Sequence, residues 1–242
     1  MSRTIKQRIG DILIPRLPVN RRVFNTLRFE LNAFFSRQVV RFSPRCIAAR
    51  NRLRKEQHLR LNIGSGGRGV EGWVNVDVGR LHNDQTLPCD IRYGLPLADG
   101  QVSHIFAEHI IEHIEVRHDL PRVLRECHRV LEPGGRIRII VPDAERYLRA
   151  YVQRDKSLWA SLGLQAMPDD MPTPMMMVNH VFHQEGEHMF GYDFETMKYQ
   201  LESAAFTNVE RRSYRDSADA VLCIDQDFHA PYSMYVEAQK PA

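Results

Sequence analysis

The segment Arg60-Leu-Asn-Ile-Gly-Ser-Gly-Gly-Arg-Gly-Val-Glu-Gly-Trp-Val-Asn-Val-Asp77 joins two apolar runs through a loop that holds Gly64, Gly66, Gly67 and Gly69. Glycine allows the backbone to turn at positive φ and to approach a ligand with no Cβ in the way. A carboxylate at the tip of the second run, Asp77, can accept hydrogen bonds from a ribose diol. The pattern predicts a nucleoside-cofactor site at the strand ends of an α/β sheet. An ordinary tight turn is the competing reading of the glycines, and a solvated turn residue that of Asp77.

Spacing selects among cofactors. Gly64, Gly66 and Gly69 satisfy G-x-G-x-x-G, but a dinucleotide fold places its acidic residue about 20 positions further on, after a full helix. Here Asp77 follows Gly69 by eight positions, and Val70–Trp73 is too short for such a helix. A pyrophosphate would lack the helix N-terminus that suits it. S-adenosylmethionine carries no phosphate and needs only close backbone, a ribose acceptor and an adenine slot, so the short link favours it over NAD.

Upstream lies a charge asymmetry. Residues 1–55 contain 14 Lys/Arg against Asp11 and Glu30, a balance of +12, while the remainder carries −9, for a net +3. From Arg21 to about Val40, Val23, Phe24, Leu27, Leu31, Phe34, Phe35 and Val39 recur at helical spacing among arginines. Ser43-Pro44 interrupts, and a second short helix is expected over 47–55. Such a basic amphipathic arm suits an anionic membrane surface or a nucleic acid, though no specific nucleic acid is expected. Its apolar stripe could instead dock on the body or on a second subunit.

Downstream, strands are expected at 59–63, 73–78 and 101–107, with Asp90 near the end of another. A helix is expected at 120–131, a strand at 136–141, a helix from Asp193 to Ala205, and strands near 209–213 and 234–238. Segment 152–187, rich in Met and Pro, is expected to be mobile. Alternating strands and helices imply a mainly parallel α/β sheet. At 242 residues with 43% hydrophobic and 26% charged residues, the chain is an ordinary globular size and composition. Cys46, Cys89, Cys127 and Cys223 form no C-x-x-C pair, which argues against a disulfide framework and suits a reducing cytoplasm. No apolar run reaches membrane-span length and no signal-peptide pattern opens the chain.

Four stretches, in this order, carry a family resemblance. They are Leu61-Asn-Ile-Gly-Ser-Gly-Gly with Gly72-Trp-Val-Asn-Val-Asp77; Cys89-Asp-Ile-Arg with Leu95-Pro-Leu-Ala-Asp-Gly-Gln-Val; Ala107-Glu-His-Ile-Ile-Glu-His113; and Val123-Leu-Arg-Glu-Cys-His-Arg-Val-Leu-Glu-Pro-Gly-Gly135. With the ending Ser233–Pro241, the chain over 58–241 resembles class I S-adenosylmethionine-dependent methyltransferases. Within them it is similar to small bacterial enzymes encoded among polysaccharide-biosynthesis genes.

The resemblance implies a Rossmann-like sheet over residues 58–242, with an antiparallel C-terminal strand and a basic helical extension over 1–57. It implies that Gly64, Gly66 and Gly67 pack on the methionine and ribose of the cofactor, and that Asp77 binds the ribose hydroxyls. Asp90 would meet the adenine amino group, an Asx turn being its other reading, and Glu108 joins the cofactor-binding set. Ser65 and Ala205-Phe206 depart from the family's usual residues without touching that set. As every matched motif lies beyond residue 57, the arm is expected to be dispensable for cofactor binding.

Two histidine groups are candidates for the proton-accepting base, given a pKa near neutrality. His109 and His113, with Glu108 and Glu112, follow the fourth strand, where packing or capping is the alternative role. His180, His183 and His188, with Glu185 and Glu187, form the other group, and His188 and His113 are the named catalytic candidates. The H-x-x-H-x4-H spacing could hold a metal, yet it matches no standard zinc pattern and sulfonium methyl transfer requires none, so no metal is expected. Met175-Met-Met177 reads as lid packing.

The expected activity is O-methylation of a sugar, glycan or similar polar hydroxyl, in the cytoplasm and peripherally at the inner face of the membrane. DNA adenine methylation is disfavoured, because no Asn/Asp-Pro-Pro-aromatic signature follows the fourth strand. The alternative is a degenerate methyltransferase fold serving as a non-catalytic binding module through its basic arm.

Overall fold

The computed structural model describes residues 20–78, 86–155, 157–158 and 172–242. Residues 1–19 of the irregular lead-in expected over 1–20, with Ile12-Leu-Ile14 ahead of Pro15 and Pro18, lie outside them, as do residues 79–85. Seven strands form one sheet in the order β3-β2-β1-β4-β5-β7-β6. They are β1 (Leu59–Ile63), β2 (Val74–Asp77), β3 (Thr86–Pro88), β4 (Val102–Glu108), β5 (Leu131–Pro142), β6 (Thr207–Arg212) and β7 (Ser233–Gln239). The first five run parallel, and β7 enters antiparallel between β5 and β6. This is the Rossmann-like sheet with its antiparallel C-terminal strand.

Period-two alternation sorts the strand residues onto two faces. Along β5, Ile137, Ile139 and Val141 enter the main core, whereas Ile140 faces the opposite way and packs with Phe106, Leu222 and Tyr235. Helix α3 (Asp119–Val130) covers the main face with Leu120, Val123, Leu124, Cys127 and Val130, all buried and spaced at helical period. Strand β5 begins directly at Leu131, so Pro133-Gly134-Gly135, expected to separate helix and strand, lies inside the assigned strand. Three further helices complete the body: α4 (Ala144–Gln153), α5 (Pro174–His183) and α6 (Phe194–Ser203). Within the stretch expected to be mobile, α4 takes in residues 152–153 and α5 residues 174–183; residues 156 and 159–171 of it lie outside the described residues.

Among the described residues two helices precede the sheet, α1 (Arg21–Phe42) and α2 (Pro44–Leu53). They are not a free appendage. Cys46 and Leu53 of α2 belong to the main core cluster. Gln101 donates to the carbonyls of Leu53 and Glu56, tying the end of α2 to the start of β4. Helix α1 lies against β3 and the end of β2, where Ser36 donates to the carbonyl of the following Val78.

The face that α1 turns inward differs from the expected one. Ala33 and Ser36 are buried, while Leu27, Leu31, Phe34, Phe35 and Phe42 are exposed, Phe42 by 64%. At 100° per residue the five exposed positions lie on the side opposite Ala33 and Ser36. The apolar stripe therefore does not dock on the body. Small and polar side chains do, and the stripe faces solvent.

Candidate functional site

The parallel strands end at a common edge, where ligands bind in open α/β sheets. At that edge a cavity of about 360 Å³ is bounded by Ile63, Gly64, Val76, Asp77, Cys89, Asp90, Ile110, His113 and Ile114, among others. Its size and mainly apolar walls fit a small-molecule cleft, for which roughly 300–1,000 Å³ is usual. A wider groove of about 450 Å³ lies over β6, β7 and α4. Its Arg211 and Arg149 are already paired with Asp143 and Glu145, and it meets neither the glycine loop nor Asp77. The first cavity, which meets both, is the candidate cofactor site.

Local chemistry explains the shape of the glycine loop. Gly64 has φ +70, and a Cβ there would come within 2.8 Å of the Ile110 side chain, so both conformation and space require glycine. Gly66 donates its N–H to Asp77 Oδ2 at 2.9 Å, which latches the loop onto the tip of β2. Asp77 and Gly64 line the cavity, but Gly66 and Gly67 sit outside its wall and are exposed. Gly66 acts here through the latch on Asp77.

A buried asparagine pair supports the short link. Asn62 donates to Asn75 Oδ1 at 2.9 Å, and Asn75 bonds Val70 N, Val70 O and Trp73 O. Its amide thus satisfies backbone groups that an intervening helix would satisfy elsewhere. Sequence reasoning passed over both residues, although asparagine twice within short apolar strands was a signal.

Asp90 occupies the cavity wall in a different state from the one expected. Its side chain is 1% exposed and bound by two guanidinium groups, Arg37 at 2.7 Å and Arg92 at 2.9 Å. It also accepts from the Arg92 backbone N–H as the cap of the 3-10 turn Ile91–Tyr93, the Asx role. Arg92 reaches on to Glu30 at 2.7 Å. Asp90 therefore serves foremost to anchor α1 against the body, and this guanidinium-bound carboxylate is a poor acceptor for an adenine amino group.

The arm also walls the site. Asn25, Thr26, Arg28, Phe29 and Glu30 of α1 line the cavity, so the arm forms part of the candidate site's wall, where the sequence places every site residue beyond it. Glu30, one of two acids among fourteen basic residues in the arm, was the legible sign of a specific partner.

Glu108 turns away from the cavity. Its carboxylate accepts from Gln226 N, Gln226 Nε2 and His229 Nδ1 at 3.0–3.1 Å. Burial raises its pKa, but these bonds outweigh burial and hold the group below its usual value. It fastens the loop before β7 to the end of β4 and does not line the cofactor cavity.

The two histidine candidates, distant in sequence, meet. His113, on the 3-10 turn Ile111–His113, and His188 have ring centroids 4.9 Å apart in an edge-on arrangement. Met189 and Phe190 donate to the Glu112 carbonyl at 2.7 and 3.3 Å, and these bonds hold the segment after α5 against that turn. His188 Nδ1 lies 2.6 Å from the Val181 carbonyl, and His113 Nδ1 lies 3.0 Å from the Glu187 carbonyl. A carbonyl only accepts, so each Nδ1 carries the proton and each Nε2 keeps its lone pair. Burial lowers the pKa of His188, so its ring is neutral near pH 7. His109, at φ +52, stacks instead on His229 and meets Ser233. His180 and His183 remain on α5 and do not join this group.

Residues 73–139 match the family model described as a methyltransferase domain. No curated protein matches the chain in sequence. Among solved structures, a S-adenosylmethionine-dependent methyltransferase from Archaeoglobus fulgidus aligns over 86% of this chain and 94% of its own, at 16% identity and TM-score 0.45. Phosphoethanolamine N-methyltransferase 2 from Haemonchus contortus aligns over 84% and 51%, at 13% identity and TM-score 0.45. A Bordetella parapertussis structure described as a possible exported protein aligns over 80% of this chain, at 14% identity and TM-score 0.43. The chain spans 66% of that protein's length. Likeness at this level identifies no substrate. The matched stretch runs from the start of β2 into β5 and takes in Asp77 and Asp90 at the cavity, and over it the chain is similar to a methyltransferase domain.

Proposed function

We propose that the enzyme methylates a hydroxyl of a sugar, glycan or similarly polar acceptor in polysaccharide biosynthesis. The supporting observation is the pair His113 and His188, whose Nδ1 atoms bond backbone carbonyls, with His113 on the cavity wall and His188 edge-on against it. Bound in the cavity, S-adenosylmethionine supplies an electrophilic methyl group on its sulfonium. The chain's own residues do the rest. Asp77 and the backbone around Gly64 fix the cofactor's ribose end, the apolar walls exclude water, and His188 or His113 takes the hydroxyl proton as the oxygen attacks. Positioning supplies most of the acceleration, and a general base about 10²–10⁴-fold.

The test is label transfer from methyl-labelled S-adenosylmethionine to free sugars, nucleotide sugars and lipid-linked glycans. A labelled methyl ether, much reduced in His188→Gln with cofactor affinity retained, supports the reading. Label found only on nitrogen acceptors would overturn it. Cofactor binding without any transfer would favour the non-catalytic binding module.

We also propose that the outer face of α1 rests on an anionic membrane surface at the inner leaflet. Exposed Leu27, Leu31, Phe34, Phe35 and Phe42, with Arg28 and Arg41 exposed alongside, form an apolar stripe with basic flanks. Two copies packed through this face would bring together arms of +12 each, which disfavours self-association. No helix among the described residues is long and apolar enough to cross a membrane. Sedimentation with phosphatidylglycerol vesicles, reversed by salt, is the expected result. A concentration-dependent dimer that ignores vesicles would overturn the assignment.

A further inference from the structure

We propose that Glu112, His113 and His188 bind one first-row divalent cation beside the cofactor cavity, where it holds the acceptor hydroxyl for methylation. The proposal deepens the O-methyltransferase reading and rests on it. One ligand atom from each residue lies within 4.8 Å of the other two. Tetrahedral zinc, with bonds of about 2.0–2.1 Å, sets its donors roughly 3.4 Å apart, so side-chain rotation suffices to close the site.

Orientation and charge support this assignment independently. A histidine that ligates metal usually donates its other ring N–H to a backbone carbonyl or carboxylate, which fixes its tautomer. His113 and His188 both do so, through Glu187 O and Val181 O, before any cation is considered. Glu112 is the second observation. Its side chain is 2% exposed, and neither carboxylate oxygen has a hydrogen-bond partner among the described residues. His109 Nδ1 approaches Oε1 at 3.0 Å without a hydrogen bond between them.

Other buried carboxylates here do not show this state. Asp90, Glu108, Asp225 and Glu237 all accept two or more hydrogen bonds. An isolated buried carboxylate is costly, and a cation between it and two imidazole lone pairs removes that cost. Two histidines and one carboxylate with positions left open for water or substrate is a donor set used by zinc and non-haem iron. The sequence reading expects no metal because it tests only His180, His183 and His188. The set that forms takes two of its three members from the turn after β4, about 75 positions away.

The cation takes over the task assigned above to a bare histidine. An acceptor hydroxyl in an open position becomes more acidic and releases its proton to solvent. Its oxygen then forms the new C–O bond with the methyl carbon as the C–S bond breaks. Sulfur keeps the electron pair, and the products are the methyl ether, S-adenosylhomocysteine and one proton.

The test uses chelator-treated full-length protein, titrated calorimetrically with Zn²⁺ and followed with Co²⁺ by visible absorption. One equivalent should bind, at least tenfold more weakly in Glu112→Gln and in His113→Asn. The first is isosteric and the second half-exposed, and circular dichroism checks both folds. His183→Asn, on the neighbouring helix, should bind as the parent does. No binding by the parent protein, or equal binding in all variants, overturns the site. Undiminished methyl transfer in chelator would also overturn the cation's role while leaving O-methylation intact, whereas cation binding with transfer only to nitrogen would sink the acceptor reading alone.

Discussion

Two clusters of buried charge, one within β5 and β7 and one on the turn after β4, are built to opposite rules. Around Arg138 in β5 the guanidinium and the two carboxylates that face it are hydrogen-bonded throughout. The guanidinium, fully buried, meets Asp225 at 2.5 and 2.8 Å, Glu237 at 2.8 Å, and the carbonyls of Ser213 and Asp216. It ties the connection between β6 and β7 to the sheet. Around Glu112 the carboxylate is equally buried but its oxygens lack hydrogen-bond partners, and the two imidazoles beside it keep free lone pairs. A saturated cluster has nothing left to offer a ligand and serves the fold. An unsaturated one carries a standing electrostatic cost, and in a folded protein that cost marks a place reserved for something else.

The contrast can be broken most directly at Arg138. Arg138→Met should strand two buried carboxylates and cost about 3–5 kcal/mol, measured by chemical denaturation. Glu112→Gln in chelator-treated protein should lose far less, or gain, since it removes an unpartnered charge. Equal losses in the two variants would mean that Glu112 also belongs to a structural ion pair, with His109 as its partner.

Cofactor binding gives the next largest effect. Asp77→Ala should weaken S-adenosylmethionine binding by roughly ten- to a hundred-fold, the ~1.5–3 kcal/mol of a hydrogen bond to a charged group. The latch to Gly66 goes with it. Unchanged affinity by calorimetry would remove Asp77 from the site.

A smaller effect is expected at the arm. Arg37→Ala leaves Asp90 with Arg92 alone and should weaken cofactor binding severalfold through the loosened α1 wall. Paired Phe34→Ser and Phe35→Ser, on the opposite face, should leave cofactor affinity unchanged and abolish vesicle sedimentation. If both variants act on cofactor affinity alike, the two faces of α1 are not separable.

The smallest concerns pH. Burial places the His188 pKa below the ordinary value of about 6.5. The unfolded state then takes up the proton first, so stability is full above that value and falls as pH drops below it. The parent protein should lose stability through this window more steeply than His188→Gln. Parallel curves would show that His188 does not titrate as the structure implies.

The body was legible because its signals are local. Glycine and carboxylate at the strand tips located β1, the loop and β2, and the period of Leu120, Val123, Leu124 and Cys127 located α3. What escaped depends on tertiary partners. Glu112 looks like any helix-turn acid until its neighbours are known. Asp90 reads as an adenine acceptor until Arg37, 53 positions earlier, arrives to occupy it. The stripe of α1 was visible as a period, but periodicity does not say which face turns inward. Here Ala33 and Ser36 allow close approach and Glu30 and Arg37 find ionic partners, so the helix docks by its less apolar side.

That docking has a thermodynamic corollary. Helix α1 contributes Phe29 and Glu30 to the cofactor cavity and presents Phe34 and Phe35 to the outside. Any occupant of the outer face that alters how the helix seats will change cofactor affinity by some factor. Linkage requires the cofactor to change affinity for that occupant by the same factor. A rigid rod shared between two binding events thus makes each a reporter of the other, and cofactor loading becomes readable from the far side of the helix.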